Sequence, residues 1–129
     1  MKYQHKDFNL ELKEKIRNTE SALKEHIERV LKENKSIFDK KNLDFDAGFD
    51  IEGNDPFKPG YSSSVSIGVA DKCGELIDLL LIKIWKCEHS LLGMPVSKNI
   101  PGSKVIGELL DESVEEVKEE LKEYIMYHV

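Results

Sequence analysis

The sequence predicts an α+β fold: a long N-terminal helix, a three-stranded antiparallel sheet and a C-terminal helix packed on one sheet face. Three observations predict it. Leu12, Ile16, Thr19, Leu23, Ile27 and Val30 recur at steps of four and three, the spacing of one helical stripe. Residues 43–52 and 61–70 alternate apolar and polar side chains, the period of a half-buried strand. Ser113-Val114-Glu115-Glu116 pairs a serine with a glutamate three residues on, the capping box that opens a helix.

The first helix is expected from about Asp7 to Asn34, with Asp7 or Asn9 as its cap and Asn34 near its end. At ~1.5 Å per residue it would be about 40 Å long, enough for part of it to project or to meet another chain. Its other faces mix Lys, Glu and Arg, the composition of a solvated surface.

The strand at about 43–52 places Leu43, Phe45, Ala47, Phe49 and Ile51 on one face and Asp44, Asp46, Asp50 and Glu52 on the other. Gly53-Asn54-Asp55-Pro56-Phe57-Lys58-Pro59-Gly60 is a turn-forming cluster. In the next strand Val65, Ile67 and Val69 share a face, opposite Ser62, Ser64, Ser66 and Gly68, before the tight turn Asp71-Lys72-Cys73-Gly74. The near-continuous apolar run 75–87 fits a strand covered on both faces, with a helix as the alternative. Residues 90–102 read as a long connection, and Ser103 to Leu110 as a short helix. Val114, Val117, Leu121 and Ile125 form the apolar stripe of the terminal helix.

A chain of 129 residues suits one domain, 1–129, and its 40% apolar content suffices for a core at that size. No apolar run approaches the roughly 20 residues of a membrane helix, and the polar start lacks a signal-peptide core, so a cytoplasmic protein with no membrane partner is expected. Cys73 and Cys87 lack CxxC spacing and are expected to be reduced thiols. The charge is asymmetric. Residues 1–43 hold 11 basic and 8 acidic side chains, and residues 44–129 hold 8 basic and 17 acidic. An acidic body disfavours nucleic acid, whose phosphates recruit Lys and Arg, and favours a basic protein partner.

No dinucleotide, Walker or HExxH signature is present, and no cofactor or metal is expected. Cys87-Glu88-His89 brings a thiol near an imidazole, the ingredients of a nucleophile pair, without a third group to orient the histidine. A helix followed by three strands suggests a restriction-endonuclease-like nuclease, but the Glu-x-Lys spacings 11–13 and 120–122 both fall on helices. Trp85 reads as core, with an interface anchor as the alternative. The chain is therefore expected to be a binding protein and not an enzyme.

The acidic strand is the leading candidate site. Pairing Phe49 with Val65 and Phe45 with Val69 would set Asp50 beside Ser64 and Glu52 beside Ser62, so the candidate binding residues are Asp44, Asp46, Asp50, Glu52, Asp55, Ser62 and Ser64. Such a row can equally be the solvated face of a sheet, the guard of an edge strand, or a face answered by the basic first helix. A strand spreads its carboxylates along a line and makes a poor metal cage.

With the clusters Asp44/Asp46/Asp50/Glu52 and Glu115/Glu116/Glu119/Glu120, this small acidic α+β chain resembles bacterial immunity proteins, which neutralise a cognate toxin, often a basic nuclease. The resemblance covers the whole chain in general character and implies that carboxylates placed like phosphates occupy a basic groove of a toxin domain. The competing resemblance is to small acidic secretion chaperones and adaptors, which implies a homodimer through the 12–30 stripe; the immunity reading allows a monomer.

Overall fold

A computed structural model describes all of residues 1–129. The elements run β1 (Lys2–Gln4), α1 (Leu10–Lys40), β2 (Leu43–Glu52), β3 (Ser62–Asp71), β4 (Leu76–Leu91), β5 (Met94–Val96), β6 (Lys104–Leu109) and α2 (Val114–His128). A single 3-10 turn, His5–Asp7, links β1 to α1. The strands form one antiparallel sheet in the order β1-β6-β4-β3-β2, with β5 pairing to the end of β4. No helix is long and apolar enough to cross a membrane.

The α+β class, the long first helix and the terminal helix match expectation, but the sheet has six strands instead of three. The segment expected as a short helix from Ser103 is β6, which pairs residue for residue with Trp85–Ser90. β1 and β5 are three-residue strands inside segments that carry no alternation. The 90–102 connection is thus partly a hairpin.

α1 starts where Asn9 caps it: the Leu12 N–H donates to Asn9 Oδ1 at 2.9 Å. Asp7 instead closes the 3-10 turn by accepting from the Gln4 N–H at 3.0 Å. The helix does not end at Asn34, whose amide donates to the Val30 carbonyl within the helix. It continues so that Phe38 can be buried, and stops before Asn42, whose φ of 62° is the left-handed conformation that terminates helices. The stripe Leu12, Ile16, Leu23, Ile27 and Val30 is wholly buried in the chain's own core, so it offers no free face to the second chain that the adaptor reading required.

The chain divides into two compact units. The first comprises Met1–Glu20, Ile51–Ser64 and Lys83–Asp111. Its core is an aromatic cluster around the fully buried Trp85, with Tyr3, Phe8 and Phe57 at ring-centre distances of 6.1, 5.8 and 6.3 Å. The Trp85 indole N–H donates to the Pro56 carbonyl at 2.6 Å, so Trp85 is a core residue that also pins the 53–60 loop. Trp85 lies opposite Leu109, and Cys87 opposite Gly107. Only a glycine fits at 107, because a Cβ there would run into the indole ring. In the same unit the Tyr61 hydroxyl donates to the buried Glu20 carboxylate at 2.7 Å.

The second unit comprises Ser21–Asp50, Val65–Ile82 and Glu112–Val129. Phe38 stacks on Phe45 at 4.5 Å, among the buried Val65, Ile67, Val69, Val117, Leu121 and Ile125. α2 opens with the expected capping box, Ser113 and Glu116 bonding reciprocally. At its other end His128 bonds Asp78 of β4 at 2.9 Å. β4 is a strand, but it is not covered on both faces. Leu76, Ile77, Leu79 and Leu81 are all more than half exposed. Ile82 and Ile84 are buried, then Trp85 and Cys87, so the buried set passes from even to odd numbers. Such a phase change is what one inserted residue, a β-bulge near Ile84–Trp85, would produce.

Candidate functional site

β2 is the terminal strand of the sheet, so the acidic row lies along an open edge. Its inward face follows the pattern closely at first: Phe45 and Ala47 are buried and Leu43 half-buried. Burial fades toward the far end, where Phe49 is half-buried and Ile51 exposed. Asp44, Asp46, Asp50 and Glu52 are all exposed, as the alternation requires.

The four carboxylates are not equivalent. Asp44 accepts from Lys72 at 2.8 Å, and the same ammonium reaches Asp39 at 3.3 Å. The β3–β4 turn places Lys72 there, and the two carboxylates hold its pKa above the ordinary lysine value. Asp46 turns one oxygen back onto the Ala47 N–H at 3.0 Å, a partner that carries no formal charge. Neither Asp46, Asp50 nor Glu52 has a cationic group within 4.0 Å. The first helix therefore does not answer the row. One turn lysine answers its first member only.

The remaining candidates divide similarly. Asp55 is half-buried and accepts from the Phe57 N–H at 3.0 Å, the Asx turn that shapes the 53–60 loop, so its carboxylate serves the loop before any partner. Ser62 and Ser64 are half-buried on β3, opposite in phase to the buried Ser63 and Val65. In the second acidic cluster, Glu116 is committed to the helix cap and Glu115 pairs with Lys118 at 3.5 Å. The neighbouring Glu120, with burial and Glu116, raises the Glu112 pKa. Two of the four members of that cluster, Glu115 and Glu116, are thus engaged inside their own helix. Lys72 and the exposed apolar residues of β4 were missed in the sequence; Lys72 was hidden because its partner lies 28 residues away.

The Cys87–His89 pair fails as a nucleophile. Cys87 is buried, and burial together with the Asp55 and Glu88 charges pushes its thiol up to about 11, away from the thiolate that attack requires. The His89 Nδ1 atom is buried without a hydrogen-bond partner, so nothing orients the ring as a base. Cys73 is exposed and unpaired. No three His, Cys, Asp or Glu side chains converge as a metal cage. A groove of about 430 Å³ in the second unit is lined by His26, Glu33, Glu115, Lys118, Glu119 and Lys122 around Val30, Ile125 and Met126. Burial and the Lys118 and Arg29 charges lower the His26 pKa, but no nucleophile faces it.

Comparison with protein-family models, curated proteins and solved structures gave no match to this chain.

Proposed function

We propose that the chain is a cytoplasmic binding protein of the immunity-protein kind, which inhibits a basic, nuclease-type toxin domain by docking the acidic edge of β2 into a cationic groove. One observation carries the reading: Asp46, Asp50 and Glu52 stand exposed in a row with no cation of the molecule in reach. One or two charges are enough to guard an edge strand against pairing. A longer run adds mutual repulsion in the free protein, which a cationic partner relieves. Asp50 and Glu52 stand about 6.6 Å apart and Asp46 about 13 Å from Asp50 across Gly48, so the row presents three anionic groups along a line, a shape that a cationic groove can receive. The excess of acid over base after residue 43 adds long-range steering toward such a partner. Asp44 is reserved for Lys72 and contributes less.

The test is differential capture from the source cell with the wild type and with the triple variant Asp46→Asn/Asp50→Asn/Glu52→Gln. A basic protein retained by the wild type, released by moderate salt and absent with the variant is the expected result. Identical captured sets would remove the basis for the proposal.

A further inference from the structure

β4 is sixteen residues long, yet only its second half is flanked by strands on both sides. β6 uses all six of its residues on Trp85–Ser90, β5 pairs with His89–Leu91, and β1 pairs with β6. β3 and β2 follow on the other side of β4 in the strand order. No strand remains for the outer edge of residues 76–83. The Leu79 N–H there takes a side-chain acceptor, Asp78 Oδ1, at 2.9 Å. Ile77, Leu79 and Leu81 are 53%, 55% and 51% exposed. An open edge with apolar side chains is a template for another strand. The contrast with β2 is sharp: that edge carries a carboxylate at nearly every second position, and this one carries only Asp78 within its apolar stretch.

We infer that residues 75–83 form the interface of a homodimer, in which the β4 edges of two copies pair antiparallel about a twofold axis at Leu79. The occupant is identified by the edge's own charge pattern. Positions 75, 77, 79, 81 and 83 read Glu, Ile, Leu, Leu, Lys. Pairing centred on Leu79 sets Leu79 against Leu79 of the second copy, Ile77 against Leu81, and Glu75 against Lys83, each unequal pair occurring twice as the symmetry requires. Glu75 and Lys83 are both exposed, so the two reciprocal ion pairs are free to form. Neighbouring registers lose this match. Centring on Asp78 brings two carboxylates face to face, and centring on Leu80 sets Lys83 against Ile77. A second copy is therefore the strand that fits, and the pairing extends the sheet across two chains. This surface is separate from the acidic row on β2 and does not depend on the function proposed for it.

Sedimentation velocity of the intact chain over a dilution series tests the inference. The wild type is expected to reach twice the 14.8 kDa chain mass by about 100 µM. Leu79→Lys places two ammonium groups on the axis and is expected to leave a monomer over the same range. Glu75→Lys alone and Lys83→Glu alone each set like charges opposite one another, and should weaken the dimer about tenfold. The double variant Glu75→Lys/Lys83→Glu restores both pairs with reversed sign, and should recover affinity to within about threefold of wild type. Circular dichroism checks that each variant is folded. The triple variant Asp46→Asn/Asp50→Asn/Glu52→Gln should dimerise like the wild type. A wild type that stays monomeric at about 1 mM overturns the inference. So does a dimer indifferent to Leu79→Lys, a charge-swapped double variant no tighter than its parents, or a dimer lost with the β2 triple variant.

Discussion

Replacing Gly107 by alanine tests how tightly the sheet is built around its tryptophan. The new Cβ would meet the Trp85 ring, with Cζ3 at 2.9 Å and Cη2 and Cζ2 closer still. Trp85 is fully buried and contacts Tyr3, Phe8 and Phe57, so the ring has no empty space to enter. Forcing one carbon into such a core costs about 1–3 kcal/mol. A tilted indole also loses its bond to the Pro56 carbonyl, which adds about 1–2 kcal/mol for a buried polar group left unpaired. The expected total is about 3 kcal/mol, or a fall of about 10 °C in Tm for a domain of this size. Gly48→Ala is the matched control, because a Cβ there meets nothing within 4 Å. That change should be neutral or stabilise by up to about 1 kcal/mol through loss of unfolded-state entropy. Urea unfolding followed by fluorescence of Trp85, the sole tryptophan, measures both variants. Gly107→Ala within about 0.5 kcal/mol of Gly48→Ala would refute the packing described around Trp85.

Three further outcomes follow from the same structure. Tyr61→Phe leaves the buried Glu20 carboxylate without its hydroxyl donor and should cost about 1–3 kcal/mol in urea unfolding, whereas Glu20→Gln keeps an acceptor and should cost less. Iodoacetamide at neutral pH should label the exposed Cys73 and spare Cys87, whose thiol sits near 11; peptide mapping of the native protein decides it. Asp78 is held below the ordinary carboxylate value by the Leu79 N–H and by His128, so its ionised form is favoured in the folded state. Its contribution is present above about pH 4 and is lost as pH falls through the lowered value, so Asp78→Asn should flatten the acid limb of a stability–pH curve below pH 4.

Much of this architecture was legible from periodicity. The stripe of α1, the alternation of β2 and β3, the turn at Asp71–Gly74 and the Ser113 capping box each act over a few residues, and each appears where the pattern places it. What escaped depends on contacts distant in sequence. Lys2-Tyr3-Gln4 is a strand because β6 supplies a ladder and Trp85 a surface for Tyr3, neither visible in three polar-flanked residues. Residues 104–109 read as helical because Ser103 suits a helix start, whereas the ladder with β4 makes them a strand, with Gly107 leaving room for Trp85. The 75–87 run was expected to be covered twice because a continuous apolar stretch usually is. Here Leu76, Ile77, Leu79 and Leu81 remain in solvent, which the composition of the strand could not reveal. Within the candidate site, exposure of the acidic row followed from parity alone. The capture of Asp44 by Lys72 and of Asp55 by its own turn required the tertiary arrangement.

On the proposed function, Asp46, Asp50 and Glu52 act together as an electrostatic docking surface. The association rate constant of the captured basic partner, measured at low and at physiological ionic strength for the wild type and the triple Asn/Asn/Gln variant, tests it most directly. A fall of about tenfold in the variant at low salt, shrinking as salt rises while the dissociation rate changes less, is the predicted result. Equal association rates for the two proteins at both ionic strengths would contradict it.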